Sequence, residues 1–276
     1  MKYNITYMSG AGNLFSVLDN TDALIDKNEG SRLATILCNK NEINDFETEG
    51  LMLLELSDDY SFKCSFFNPD GSTGMMCGNG GRAIVNFAIS KNIIASEDLN
   101  INFEMAGSVY SAKIIGNLVD LEMPDINEER RIELKLQGRL VDAYYVDNGS
   151  QHTLINIKKL DLLSIDKLDI NGLGREVRYN ELFGAIGSNA NFFDIVKNNI
   201  YLRTYERGVE KETGACGTGA VATAIAVNKE YGLEYPIEIV PTSGEKLVID
   251  KRSSENRTKY HLIGPAVILK EKVIEV

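Results

Sequence analysis

The sequence predicts an α/β protein made of two related halves, each a curled sheet of mixed and antiparallel strands around one central helix. The first sign is a repeat. Cys77-Gly-Asn-Gly-Gly-Arg-Ala83 and Cys216-Gly-Thr-Gly-Ala-Val-Ala222 share one pattern, about half the chain apart, as expected when a supersecondary unit is duplicated. The second is the dominance of short alternating segments, which read as half-buried strands. The third is a pair of helical stretches, each opening directly after a repeated cysteine and apolar or small on most faces. Such helices suit burial inside a curled sheet. Pro124 and Pro265 mark plausible crossing points, so the halves are expected at 1–124 with 265–276, and at 125–264.

Among the strands, Tyr60–Phe67 places Tyr60, Phe62, Cys64 and Phe66 on one face. Further strands are expected at Asn100–Phe103, Ala112–Ile115, Leu140–Val146, Thr153–Ile157, Asn191–Val196, Ile200–Tyr205, Ile237–Val240, Lys246–Ile249 and Ala266–Lys270. Their close spacing favours hairpins. The two central helices are expected over about Asn79–Lys91 and Gly217–Lys229. A third, amphipathic helix is expected from Ser31 to about Lys40, with Leu33, Ile36 and Leu37 at helical spacing.

Composition narrows the function classes. The chain has 276 residues, 43% hydrophobic and 25% charged, with a net charge of −11. That balance allows a real core and argues against nucleic acid or an anionic membrane as partner, since both call for clustered Lys and Arg. Glu128-Glu129-Arg130-Arg131, the densest basic stretch, is mixed in sign and reads as a solvated face. No signal peptide or apolar membrane-spanning run is visible, so the expected location is the cytoplasm, where thiols stay reduced. The four cysteines, at 38, 64, 77 and 216, and the two histidines, His152 and His261, match no common zinc spacing. No metal is expected.

A cysteine immediately before a helix faces that helix's unsatisfied N–H groups and the positive end of its dipole. Both favour the thiolate. The following glycines allow tight turning and make a seat for a carboxylate. Cys38 and Cys64, in contrast, sit on apolar faces and read as core. Two such motifs facing one another would place a sulfur on each side of a carbon next to a bound carboxylate. One thiolate would remove the α-proton while the opposite thiol donates, inverting the centre. The helix N-termini would stabilise charge spreading onto the carboxylate. No pyridoxal phosphate, metal or other cofactor is then needed.

These motifs resemble those of the diaminopimelate epimerase family, over essentially the whole chain. The resemblance is carried by Met8-Ser-Gly-Ala-Gly-Asn13, Phe67-Asn-Pro-Asp-Gly71, Met76-Cys-Gly-Asn-Gly-Gly-Arg82, Tyr205-Glu-Arg-Gly-Val-Glu-Lys-Glu-Thr-Gly-Ala-Cys-Gly-Thr-Gly219 and Leu262-Ile-Gly-Pro-Ala266. It implies two pseudosymmetric α/β halves with the active site between them. It also implies a bacterial isomerase interconverting LL- and meso-diaminopimelate for lysine and cell-wall synthesis. By the resemblance, Cys77 and Cys216 are the acid–base pair, and His152 and Glu206 assist the thiols. Gly78, Asn79, Gly217 and Thr218 supply backbone donors to the reacting carboxylate. Asn13, Asn68, Ser150, Asn191, Glu206 and Arg207 meet the distal end of the substrate. Arg207 offers a planar fork for a second carboxylate, and Glu206 an acceptor for a second ammonium.

The chain departs from the family pattern at several points. Ser9 stands for the usual His, Leu14 for Asp, and Glu47-Thr-Glu-Gly50 for Gly-x-Asp-Gly or Gly-x-Asp-Gln. Ser150-Gln151-His152 stands for Asn-Pro-His, and Gly214 for a bulkier residue. Two other readings therefore stay open at this point: a pyridoxal-independent racemase of another amino acid, and a non-catalytic ligand-binding paralogue. The expected partner is a small amino-acid substrate, and exposed strand edges permit a homodimer.

Overall fold

A computed structural model describes residues 1–74, 77–95, 100–254 and 257–276. Met76, which opens the first family-like cysteine motif, lies outside them. The chain forms two units, Met1–Glu122 with Gly264–Val276, and Met123–Ile263.

In the first unit the order is β1 (Lys2–Gly10), β2 (Asn13–Asp19), α1 (Lys27–Leu37), β3 (Leu51–Glu55), β4 (Phe62–Phe67), α2 (Gly78–Ser90), β5 (Ile101–Met105), β6 (Ser108–Ile115) and β7 (Leu118–Glu122). Strands β1 to β7 lie side by side in sequence order. Helices α1 and α2 are the crossovers between the parallel pairs β2/β3 and β4/β5, as a parallel connection requires. Helix α2 packs against β1, β2, β3 and β7. Its Ala83, Ile84, Val85, Phe87 and Ala88 are all buried.

The second unit repeats the plan. It runs β8 (Glu128–Leu136), β9 (Arg139–Asp147), β10 (Gln151–Asn156), α3 (Ile170–Arg178), β11 (Asn189–Val196), β12 (Asn199–Glu206), the short β13 (Lys211–Thr213), α4 (Gly217–Tyr231), β14 (Ile237–Pro241), β15 (Leu247–Ser254) and the start of β16 (Arg257–Glu275), whose residues from Gly264 on belong to the first unit. Again two parallel pairs, β10/β11 and β12/β14, are bridged by helices, α3 and α4. Helix α4 is buried from Ala220 to Val227, and its small side chains let β9, β10, β11, β12, β14 and β15 pack onto it. Residues of β16 from Ala266 on pair with β1, while Arg257–Ile263 pair with β15.

The expected α/β class and the two central helices are present. Several boundaries differ for identifiable reasons. Helix α1 starts at Lys27, because Asp26 caps it by accepting from the Glu29 amide, and it ends at Leu37, so Cys38 is its cap rather than an interior residue. Strand β4 starts at Phe62, and Tyr60 is exposed while Phe62, Cys64 and Phe66 turn inward. The stretch Glu128–Arg131 opens strand β8, whose Ile132, Leu134 and Leu136 supply the buried face.

Helix α3 has Gly174 seated on β12, where an added Cβ would lie 2.5 Å from Cβ of Tyr205. Gly→Ala inside a helix ordinarily stabilises by about 1 kcal/mol. Gly174→Ala is expected instead to lower the unfolding free energy by about 1–3 kcal/mol, since the overpacked side chain cannot be relieved without shifting backbone. Urea titration of the variant checks the sign.

Candidate active site

Cys77 and Cys216 occupy the same structural position, the N-cap of their unit's buried helix. Their backbones match, at φ −117° and ψ 121° for Cys77 and φ −121° and ψ 110° for Cys216. Each cysteine carbonyl accepts the first helical bond, from Gly81 and Ala220 respectively. Neither helix has a side-chain cap or an acidic residue in its first turn. Neither N-terminus, at Gly78 and Asn79 or at Gly217 and Thr218, is thus closed by its N-cap side chain in the way a Ser or Asp cap closes one. Such an end carries roughly half a positive charge and suits a carboxylate.

Glycine serves this geometry at two places. A Cβ at Gly10 would collide with the backbone oxygen of Asn79, so β1 can approach the α2 entrance only as glycine. A Cβ at Gly219 would meet the Asn191 side chain at 2.5 Å and Sγ of Cys216 at 3.3 Å. The remaining cysteines are different in kind. Burial pushes the Cys38 thiol up to about 11 and the Cys64 thiol still higher, so both stay protonated at neutral pH. Among the described residues none of the four is in a disulfide.

The second unit surrounds Cys216 with a continuous hydrogen-bond chain. Strand β10 pairs with β11, placing His152 opposite Asn189 and Leu154 opposite Asn191, while Asn191 pairs with Thr204 of β12. The Thr204 hydroxyl donates to Oδ1 of Asn191 at 3.1 Å. That orients the Asn191 amide so that Nδ2 donates to Nδ1 of His152 at 3.1 Å. The proton of neutral His152 accordingly sits on Nε2, which donates to Oγ1 of Thr218 at 3.0 Å. Thr218 Oγ1 lies 3.5 Å from Sγ of Cys216, leaving its hydroxyl hydrogen for the sulfur. His152 is wholly buried. Desolvation, reinforced by the Arg207 cation, pushes its pKa down to about 3. It acts here as a neutral donor, one hydroxyl removed from the thiol.

Beside this chain stands Glu206, half-buried at the end of β12. Burial pushes its carboxyl up, against the hydrogen bond that Thr213 Oγ1 donates to it at 2.8 Å. Arg207 follows in the turn, with its backbone N–H donating to Oδ1 of Asn189 at 2.8 Å. Asn189 Nδ2 also donates to Ser150 Oγ and to the Gln151 carbonyl, each at 2.9 Å. One asparagine thus ties the start of β10 to the end of β12.

The structure gathers His152, Asn191, Thr218 and Cys216 into one network. It places Asn191, expected at the distal end of the substrate, wholly buried behind His152. Cys216 is only 6% exposed, more enclosed than its glycine neighbours suggest, while Cys77 is half-buried. In the first unit, Asn79 is buried and its Oδ1 accepts from Nη2 of Arg82 at 2.9 Å. Asn13 donates to Glu49 at 2.8 Å, Asn68 is held in its turn by Ser72 at 2.9 Å, and Ser9 Oγ accepts from the Gly12 amide at 3.1 Å.

Sequence reasoning missed Asn148, Asn189, Thr204 and Thr213. Asn148 is buried and donates to the Thr218 carbonyl at 2.9 Å. Asn189 shares a face of β11 with Asn191, a period-two signal that was available. Thr204 and Thr213 are cross-strand neighbours, which only the hairpin register reveals.

Comparison with known proteins decides the family. A model of the diaminopimelate epimerase family matches residues 5–122 and again 144–269. The chain belongs to the diaminopimelate epimerase family. The diaminopimelate epimerase of Aquifex aeolicus is 35% identical, over 93% of this chain and 92% of that protein. That of Hydrogenobaculum sp. is 34% identical, over 95% and 94%. Among solved structures, a phenazine biosynthesis protein of the PhzF family from Bacillus anthracis matches the fold with a TM-score of 0.72 at 10% identity, covering all of both chains. A hydroxyproline epimerase from Agrobacterium vitis, with bound trans-4-hydroxy-L-proline, matches with a TM-score of 0.67 at 12% identity, over 99% and 92%. At such identities the likeness concerns the fold. Among the described residues no helix is long and apolar enough to cross a membrane.

The depressed His152 pKa makes a stability prediction. Between pH 6.5 and about 3 the unfolded chain binds a proton there that the folded chain does not, so this group's contribution falls as pH drops. His152→Gln lacks the titration. Its stability deficit relative to the native chain should narrow by about 1.4 kcal/mol per pH unit between pH 6 and pH 4.5. Urea unfolding across that range measures the gap, and a constant gap contradicts a neutral buried His152.

Proposed function

We propose that this chain epimerises LL- and meso-diaminopimelate with two thiols and no cofactor. Membership of the family is the frame. The single observation that carries the reading is the pair of cysteines at uncapped helix N-termini with matching backbone geometry.

In this reading the substrate carboxylate accepts from the first-turn amides, those of Gly78 and Asn79 and those of Gly217 and Thr218. One cysteine is a thiolate and the other a thiol, acting on opposite faces of the same α-carbon. The thiolate takes the α-proton and becomes a thiol, and the electron pair of the broken C–H bond passes toward the carboxylate. The opposite thiol then gives its proton to the carbon and becomes a thiolate, so the centre is inverted. Atoms and charge balance, and the two cysteines have exchanged protonation states. The amides stabilise the carboxylate charge that grows in the transition state.

His152 acts through Thr218. A neutral Nε2–H fixes the Thr218 oxygen, and the Thr218 hydroxyl turns to Cys216 whenever that sulfur is anionic. Such a bond to a charged sulfur contributes roughly 1.5–3 kcal/mol. Glu206, with its carboxyl pushed up, can accept from or donate to the substrate's polar groups, and Arg207 takes the distal carboxylate as a planar fork. The chemistry requires both thiols reduced, which fits a cytoplasmic setting.

Purified protein supplied with either isomer should bring both to the same LL to meso ratio without added cofactor. Cys77→Ala and Cys216→Ala should each lower kcat by roughly 10²–10⁴-fold. Full turnover in either variant, with the native fold retained by circular dichroism, would refute the two-thiol reading.

A further inference from the structure

Arg207 is held in an unusual way for a half-buried arginine. Its Nη1 donates to Oε1 of Gln151 at 2.7 Å, a neutral amide. Among the described residues it forms no ion pair. Gln151 is itself fixed from the other side, its Nε2 donating to Oδ2 of Asp147 at 3.0 Å. Asp147 is anchored in turn, with Oδ1 accepting from the Gly149 amide at 3.0 Å and from Asn127 Nδ2 at 3.2 Å. The register explains the arrangement, because Gln151 pairs with Asp147 across the β9/β10 hairpin.

We infer that Gln151 is a positioning residue that aims Arg207 at a second substrate carboxylate while leaving its charge unspent. The inference rests on the reading under Proposed function and concerns substrate selection by the same site.

A guanidinium needs two things to discriminate for an anion: a fixed plane and an uncompensated charge. A carboxylate at position 151 would give the first and remove the second. An aliphatic residue would leave the charge and lose the plane. Glutamine supplies both, because its carbonyl orients Nη1 without neutralising it. With Nη1 occupied and the Arg207 backbone N–H tied to Asn189, the remaining N–H edge can meet a carboxylate in two parallel bonds. The negative Asp147 stands one hydrogen bond further off. Its role is to choose the Gln151 rotamer: an acidic acceptor on that side forces the amide nitrogen toward Asp147 and the oxygen toward Arg207. Gln151 and Ser150 occupy the place of the family's Asn-Pro. The distal clamp here accordingly runs through a glutamine side chain, with Ser150 serving as an acceptor for Asn189.

L-Lysine is diaminopimelate without the distal carboxylate, so the pair isolates this contact. Calorimetric titration of the full chain should show meso-diaminopimelate bound well ahead of L-lysine. Gln151→Glu should cut that preference by roughly tenfold, equivalent to about 1.4 kcal/mol. Gln151→Leu should cut it by a smaller factor, and lysine binding should change little in either variant. In turnover the loss should appear in KM more than in kcat, because the distal contact is made alike in ground and transition states. A role confined to structure would weaken both ligands together, leaving the preference intact, and that result overturns the inference. If the native chain binds neither ligand and turns over no diaminopimelate, the proposed function falls and this inference with it. If it prefers diaminopimelate and the preference survives both substitutions, the inference falls alone.

Discussion

The rest of the structure depends on two helices that begin without a cap. An ordinary helix start is closed by a Ser, Thr, Asp or Asn side chain, and losing one costs about 1 kcal/mol. Here cysteines stand at both caps and supply no such bond. Each cysteine thereby stands at the positive end of its helix's dipole without closing the helix through its side chain. That arrangement tolerates no bulky neighbour at Gly219 and no side chain at Gly10. It also needs helices that cannot drift, which their burial within each curled sheet provides.

The two units share a plan and differ in what supports the cysteine. Around Cys216 the support is a row of neutral partners, Thr204, Asn191, His152 and Thr218, each oriented by the one before it. Burial keeps His152 uncharged and biases Glu206 toward its protonated form. Around Cys77 the support is structural: Arg82, one turn into the helix, grips Asn79 and approaches the Gly78 carbonyl at 3.4 Å. The two units thus share the cysteine N-cap and differ in the side chains packed around it.

Much of this was legible in the sequence, for physical reasons that differ by element. Strand β5 alternates, with Ile101, Phe103 and Met105 buried and Asn102 exposed, and so was visible. Strands β1 and β3 were not, because Ile5–Met8 and Leu51–Leu54 are buried on both faces and show no period of two. Strand β8 was hidden by the charges at its start, although Ile132, Leu134 and Leu136 carry the period. The short α3 was missed because its two glycines depress helix propensity, while its position is set by packing on β11 and β12. At the site, Cys77, Cys216 and His152 announced themselves by motif. Asn148, Asn189 and the orientation of Gln151 did not, since their roles depend on which strand ends meet, and register is a tertiary property.

In the proposed reaction two different thiols handle the proton on the two faces of one carbon. Its most direct test is deuterium labelling at early turnover, starting from LL-diaminopimelate in deuterium oxide. The product α-carbon should be labelled from the first turnovers while recovered starting isomer remains nearly unlabelled, because the abstracted proton stays on one sulfur and the new one comes from the other. Recovered starting isomer labelled as fast as product, or product carrying the substrate's own hydrogen, would mean a single base, and would contradict it.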